Sequence, residues 1–168
     1  TELTHYFYPM TREDALKKLE RYCDYQDRCH QEVRYRLLKE KVYGDDLEWV
    51  ITALIDSGHL NEERYARSLV RGKFRIKGWG RVRSGQELKR REIGDYIRRK
   101  AMEEIDETAY LSMLEELLEK RKNQLPADLS LLTVLEDLRK YVLRKGYEWE
   151  IIERMLSTMQ ANGQLPGK

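Results

Sequence analysis

The sequence predicts an all-α protein: three tandem three-helix repeats in an elongated, curved row. Three observations predict it. Apolar residues recur at helical spacing along nearly the whole chain, with only 3 Pro to interrupt them. Charged residues make up 37% and apolar residues 40%, enough for a core but a modest one, in a composition that favours helices. Finally, one phrase recurs. Val50–Leu54–Ile55, Ile97–Ala101–Met102 and Ile151–Met155–Leu156 share a pattern displaced by 47 and then 54 residues. A period of about 50 suggests modules that must stack because each is too small to bury its own face. A single globular bundle is the competing arrangement.

The elements follow in order. Thr11 with Asp14 resembles a capping box, and Ala15, Leu16, Leu19, Tyr22 and Cys23 form one stripe behind it. A second helix is expected over 27–41, with Val33, Leu37 and Leu38 inward. Gly44-Asp45-Asp46 opens a third, which buries Leu47, Val50, Ile51, Leu54 and Ile55 and stops at Ser57-Gly58. Asn61 caps a fourth helix that ends near Gly78, followed by shorter ones over 80–91 and 95–104. Asp106 opens the next, with Tyr110, Leu111, Leu114, Leu117 and Leu118 on one face. After a loop containing Pro126, Ser130 caps a helix carrying Val134, Leu135, Leu138 and Val142. A last helix buries Ile151, Ile152, Met155, Leu156 and Met159, Asn162-Gly163 stops it, and the tail to Lys168 is expected to be disordered. The repeats are therefore set at 11–60, 61–105 and 106–160.

The charge is unevenly spread. Residues 61–100 hold 14 Lys and Arg against 5 Asp and Glu, although the whole chain has a formal charge of only +2. Such a basic middle between acidic ends is an electrostatic footprint for a polyanion. On a helix over 61–77, Arg71 and Arg75 lie within about 20° of Arg64, and Arg67 about 60° aside. Tyr65, Ala66, Leu69, Val70 and Ile76 take the opposite half. The expected result is one packed face and one face of four guanidiniums, whose forks suit phosphate and carboxylate oxygens. Lys77, Arg81, Arg83, Lys89, Arg90 and Arg91 continue the basic run, and Phe74 and Trp79 sit among them as core anchors or as platforms for bases. Little acid within this stretch offsets the arginines.

From Gly58-His59-Leu60-Asn61-Glu62-Glu63-Arg64-Tyr65-Ala66-Arg67 onward, the chain resembles the RecX family of bacterial RecA regulators. The phrase is a glycine, two residues, an acidic pair, Arg, an aromatic and Ala. A basic helix follows, then Lys77-Gly78-Trp79-Gly80-Arg81, then Glu87-Leu88. The likeness is strongest over 46–97 and fainter over 15–38 and 110–156. It implies three-helix repeats lodged in the groove of the RecA filament on single-stranded DNA, inhibition of ATP turnover and strand exchange, and a role in DNA repair and recombination. It also implies that Arg64, Arg67, Arg71, Arg75, Lys77, Arg81, Arg83, Lys89, Arg90 and Arg91 face DNA or the filament. The expected partners are RecA and single-stranded DNA, and the expected state is a monomer.

Nothing in the sequence assembles into a catalytic constellation. Gly72-Lys73 is followed by Phe74 and lacks the glycine a phosphate-binding loop requires. His5, His30 and His59 are scattered, and Cys23, Cys29 and His30 lack a matching second pair for a metal. No cofactor, metal or enzymatic activity is expected. No window of about 18 apolar residues suggests a membrane span, and residues 1–10 lack the apolar run of a secretory signal. Two cysteines make no disulfide framework, so the expected location is the cytoplasm. Two other functions stay open: a stand-alone helical nucleic-acid-binding module, and a scaffold for an acidic protein.

Overall fold

Nine helices and one π-helical turn carry the described residues, 8–166, of this computed structural model, and no strand occurs among them. They are α1 (Arg12–Tyr25), α2 (His30–Lys39), α3 (Gly44–Asp56), α4 (Glu62–Gly72), α5 (Arg81–Arg90), α6 (Asp95–Met102), α7 (Glu107–Gln124), α8 (Leu131–Lys145) and α9 (Trp149–Ala161). The π turn spans Lys73–Lys77 and continues α4. Each run of three helices packs on itself: α1 and α2 against α3, α4 and α5 against α6, and α7, α8 and α9 mutually. The tandem three-helix arrangement read from the sequence is the arrangement observed. The signal reading of residues 1–10 falls partly, and the tail reading of 167–168 wholly, outside the described residues.

Local chemistry sets the helix starts. Thr11, Asn61, Asp106 and Ser130 each accept, through the side chain, the backbone N–H three residues on. Each satisfies one of the orphan donors of a helix N-terminus. The second helix starts three residues later than expected. There the Cys29 N–H donates to the Glu32 carboxylate at 3.0 Å, which fixes the first turn.

Two apolar cores form. One gathers Ala15, Leu19, Val33, Leu37, Val50 and Leu54 of the first repeat. The other runs continuously through the second and third, from Ala66 and Val70 to Leu114, Leu138 and Ile152. Leu38 and Ile55, expected inward, are exposed. Leu37 and Leu54 already occupy the core positions, and a helix turns the next residue about 100° away. Leu165 lies in the second core, so the tail as far as Pro166 is not loose. Gly163, at φ 70°, turns the chain back, and the Lys122 ammonium donates to the Gln164 carbonyl at 2.6 Å.

The second and third repeats meet backbone to backbone. The Gly80 N–H donates to the Lys145 carbonyl at 2.7 Å, and the Val82 N–H to the Gly146 carbonyl at 2.9 Å. The buried Tyr110 hydroxyl accepts from the Arg81 N–H and donates to Glu148. The seam between the first and second repeats is instead mostly polar. Arg64 reaches Asp27, Arg91 reaches Glu32, and the His30 N–H donates to Glu62. No hydrogen bond or ion pair among the described residues joins the first repeat to the third. Among the described residues, no helix is long and apolar enough to cross a membrane.

Candidate nucleic-acid and filament interface

The basic stretch folds into α4, the π turn, α5 and α6. Asn61 starts α4, which buries Tyr65, Ala66 and Val70 as the periodicity predicts, with Leu69 half-buried. The phase then breaks. A π turn holds more than 3.6 residues, so positions beyond it rotate relative to a straight α-helix. Phe74 becomes buried, 6.1 Å from Tyr110 ring to ring. Ile76, expected on the packed half, is 81% exposed. Phe74 is therefore a core residue and offers no face to a base. Trp79 is half-buried, with the Lys73 ammonium 4.9 Å and the Arg83 guanidinium 4.2 Å from its ring centre.

The expectation that little acid offsets the arginines is corrected by the tertiary structure. Arg64 donates to Asp27 at 2.6 Å and to the carbonyls of Gly58 and His59 at 3.1 Å, so it fastens α4 to the first repeat. Arg67 pairs with Glu63, Glu104 and Glu103 at 3.0–3.4 Å, and Arg71 with Glu104 at 3.1 Å. Hydrogen bonding to Glu63, then to Glu104 and Glu103, holds the Arg67 pKa above its ordinary value. Arg81 meets Glu107 and Glu148 and lies 4.0 Å over the Tyr110 ring. Arg90 pairs with Glu87, and Arg91 with Glu87 and Glu32. Among the described residues, four of the ten expected site residues have no carboxylate within ion-pair distance: Arg75, Lys77, Arg83 and Lys89. All four are exposed.

The ten do not share one surface. Arg64, Arg67 and Arg71 line one hollow with Glu63 and Glu104. Arg75 and Lys77 line a different groove, together with Lys120, Tyr141 and Lys145 of the third repeat. Sequence reasoning missed these last three, since Lys120 and Lys145 lie in an acidic third of the chain. No group of three or more His, Cys, Asp or Glu residues able to hold a metal occurs among the described residues. Cys23 and Cys29 are buried free thiols, and burial pushes the Cys23 pKa up to about 11.

Comparison with known proteins places this geometry. The family description "RecX, second three-helix domain" matches residues 61–102, the segment from the α4 cap to the end of α6. A protein named Regulatory protein RecX, from Amycolatopsis mediterranei (strain U-32), is 27% identical over 120 residues, spanning 71% of this chain and 68% of that protein. The second repeat of this chain is thus similar to the second three-helix domain of RecX. The crystal structure of RecX from Lactobacillus salivarius superposes with a TM-score of 0.82 at 23% identity, covering 89% of this chain and 97% of that one. A second crystal structure, of a regulatory protein RecX, gives 0.78 at 16% identity, covering 87% and 73%. These two likenesses establish the shared helical fold.

Proposed function

We propose that this protein binds the RecA recombinase and its filament on single-stranded DNA, and inhibits recombinase and ATPase activity without catalysing a reaction itself. It thereby modulates DNA repair and recombination. The observation that carries the proposal is the surplus of cations on the second repeat. Arg75, Lys77, Arg83 and Lys89 stay exposed and unmatched by carboxylate within the stretch that resembles the second RecX domain. Arg64, Arg67, Arg71, Arg81, Arg90 and Arg91 join the interface by exchanging carboxylates for phosphates. Solvent-accessible ion pairs contribute little and are weakened by competing ions. The protein acts as a cytoplasmic monomer of three units, 11–60, 61–105 and 106–160.

Titration into the cognate RecA ATPase reaction on single-stranded DNA tests the reading. Saturable loss of ATP turnover is the expected result. Undiminished turnover, at concentrations where this protein binds single-stranded DNA, would favour a stand-alone nucleic-acid-binding module instead.

A further inference from the structure

The cations of the second repeat are matched internally wherever a carboxylate is near, with one concentrated exception. Between the π turn, α7 and α8 lies a groove of about 640 Å³. Its rim carries Arg75, Lys77, Lys120 and Lys145, against a single carboxylate, Glu116. None of these five side chains forms an ion pair with another described residue. The Lys145 ammonium is fixed in place by donating to the Lys77 carbonyl at 2.9 Å. Partial burial lowers its pKa, and repulsion from Arg83, Lys77 and Lys120 lowers it further.

Helix ends attract lysines, and Lys77 and Lys145 close the π turn and α8. That attraction accounts for Lys145, whose ammonium meets the last carbonyl of the π turn, but not for the rest of the cluster. On α8 and its cap the last carbonyls already have donors in the Gly146, Gly80 and Val82 N–H groups and the Arg83 guanidinium, while on the π turn the Gly78 and Trp79 N–H groups take the Phe74 and Lys73 carbonyls and Lys145 itself takes that of Lys77. Lys120 sits inside α7, away from either of those ends. The cluster therefore lacks a counter-charge that the rest of the molecule supplies elsewhere.

The lining decides what kind of anion fits. Ile76, Met113 and Leu117 give the groove apolar lining, and the half-buried Tyr141 presents a ring beside Lys145. Cations alternating with an aromatic and apolar lining suit a chain of phosphates carrying flat bases, and less so an acidic peptide. We propose that this groove between the second and third repeats binds the phosphodiester backbone of one nucleic-acid strand on Lys77, Lys120 and Lys145, with a base laid against Tyr141. The site is separate from the α4 arginines, and the inference rests on the nucleic-acid part of the function proposed above. It assigns the contact to residues of two repeats, so their rigid joint sets the spacing of the phosphate contacts.

The test uses the whole chain and an oligothymidylate of about eight nucleotides, within the range that single-strand sites span. NMR titration should move the Gly78, Lys145 and Tyr141 amides first. Lys77→Ala with Lys120→Ala removes two ammoniums that form no hydrogen bond or ion pair with the described residues. Its slope of log affinity against log salt should fall by about 1.4, at roughly 0.7 per contact. The affinity gap to the unchanged protein then widens about 25-fold for each tenfold drop in salt. Circular dichroism checks that the double variant is folded. An unchanged slope overturns the groove assignment, and so does equal perturbation of the same amides by a polyglutamate peptide. If that happens while RecA ATPase is still inhibited, the groove fails and the functional reading stands. If the unchanged protein neither binds the oligonucleotide nor inhibits RecA, both fail.

Discussion

At the scale of single residues, the joint between the second and third repeats depends on two glycines. A Cβ on Gly80 would lie 2.3 Å from the Gly146 carbonyl oxygen, and one on Gly146 would lie 2.3 Å from the Arg83 Cβ. Backbone cannot yield as a side chain tip can, so the close approach requires the absence of both atoms. Gly80→Ala should destabilise the protein by about 2 kcal/mol or more in urea unfolding, as overpacking does. Gly72, which lies within α4, has nothing within 4 Å of its would-be Cβ. Gly72→Ala should therefore stabilise by about 0.5–1 kcal/mol. Equal effects of the two substitutions would contradict the joint. The sequence showed Gly78-Trp79-Gly80 as a turn, but the partner that makes Gly80 necessary lies 66 residues on. The arginines were legible in the same partial way. Periodicity identified the buried Tyr65, Ala66 and Val70, whereas Asp27 stands 37 residues before the Arg64 it neutralises. Which face a residue takes is local, but what neutralises it is decided by folding.

At the scale of elements, the π turn is what separates the straight-helix expectation from the fold. Extending α4 at 100° per residue puts Ile76 in the core and Phe74 beside the arginines. The turn over Lys73–Lys77 exchanges them, and Gly78 at φ 66° closes it. Nothing in the apolar pattern marks one extra residue in a turn, because the cue is a hydrogen-bonding register. Stability measurements separate the two phases. Phe74→Ala should cost about 3–5 kcal/mol as a large-to-small core change. Ile76→Ala should stay within about 0.5 kcal/mol, as exposed sites do. The reverse ranking in urea unfolding would show that the helix runs straight. The same rotation leaves Ile76 among the residues that line the groove between the repeats, so a local irregularity in α4 shapes that surface.

At the scale of the whole molecule, the recurring phrase located the third helix of every repeat, α3, α6 and α9, but not its register in the last. Ile152 and Leu156 are the fully buried pair on α9, as Val50 and Leu54 are on α3, while Ile151 and Met155 are half-buried. Helical periodicity alone tolerates that one-residue slip, because adjacent apolar residues present the same pattern. How the repeats join was not legible at all, since joints depend on residues far apart in sequence. The consequence is unequal coupling. The second and third repeats share one continuous core and a backbone-to-backbone joint. The first has its own smaller core and meets the second through ion pairs and polar hydrogen bonds, with Cys29 as an apolar anchor in the larger core. Exposed ion pairs contribute about 0.2–1 kcal/mol each and weaken as salt screens them. The first repeat should therefore open as its own cooperative unit, below the free energy of global unfolding. Native-state hydrogen exchange reads this directly. Amides of α1–α3 should exchange with less protection than those of α7 and α8, and added sodium chloride should widen the difference. Asp27→Ala should lower protection across α1–α3 while leaving α7 and α8 unchanged, because Asp27 holds both Arg64 and Ser68 across the seam. Protection that is uniform over all nine helices, or a loss that spreads equally to α7 and α8, would show instead that the three repeats unfold as a single unit.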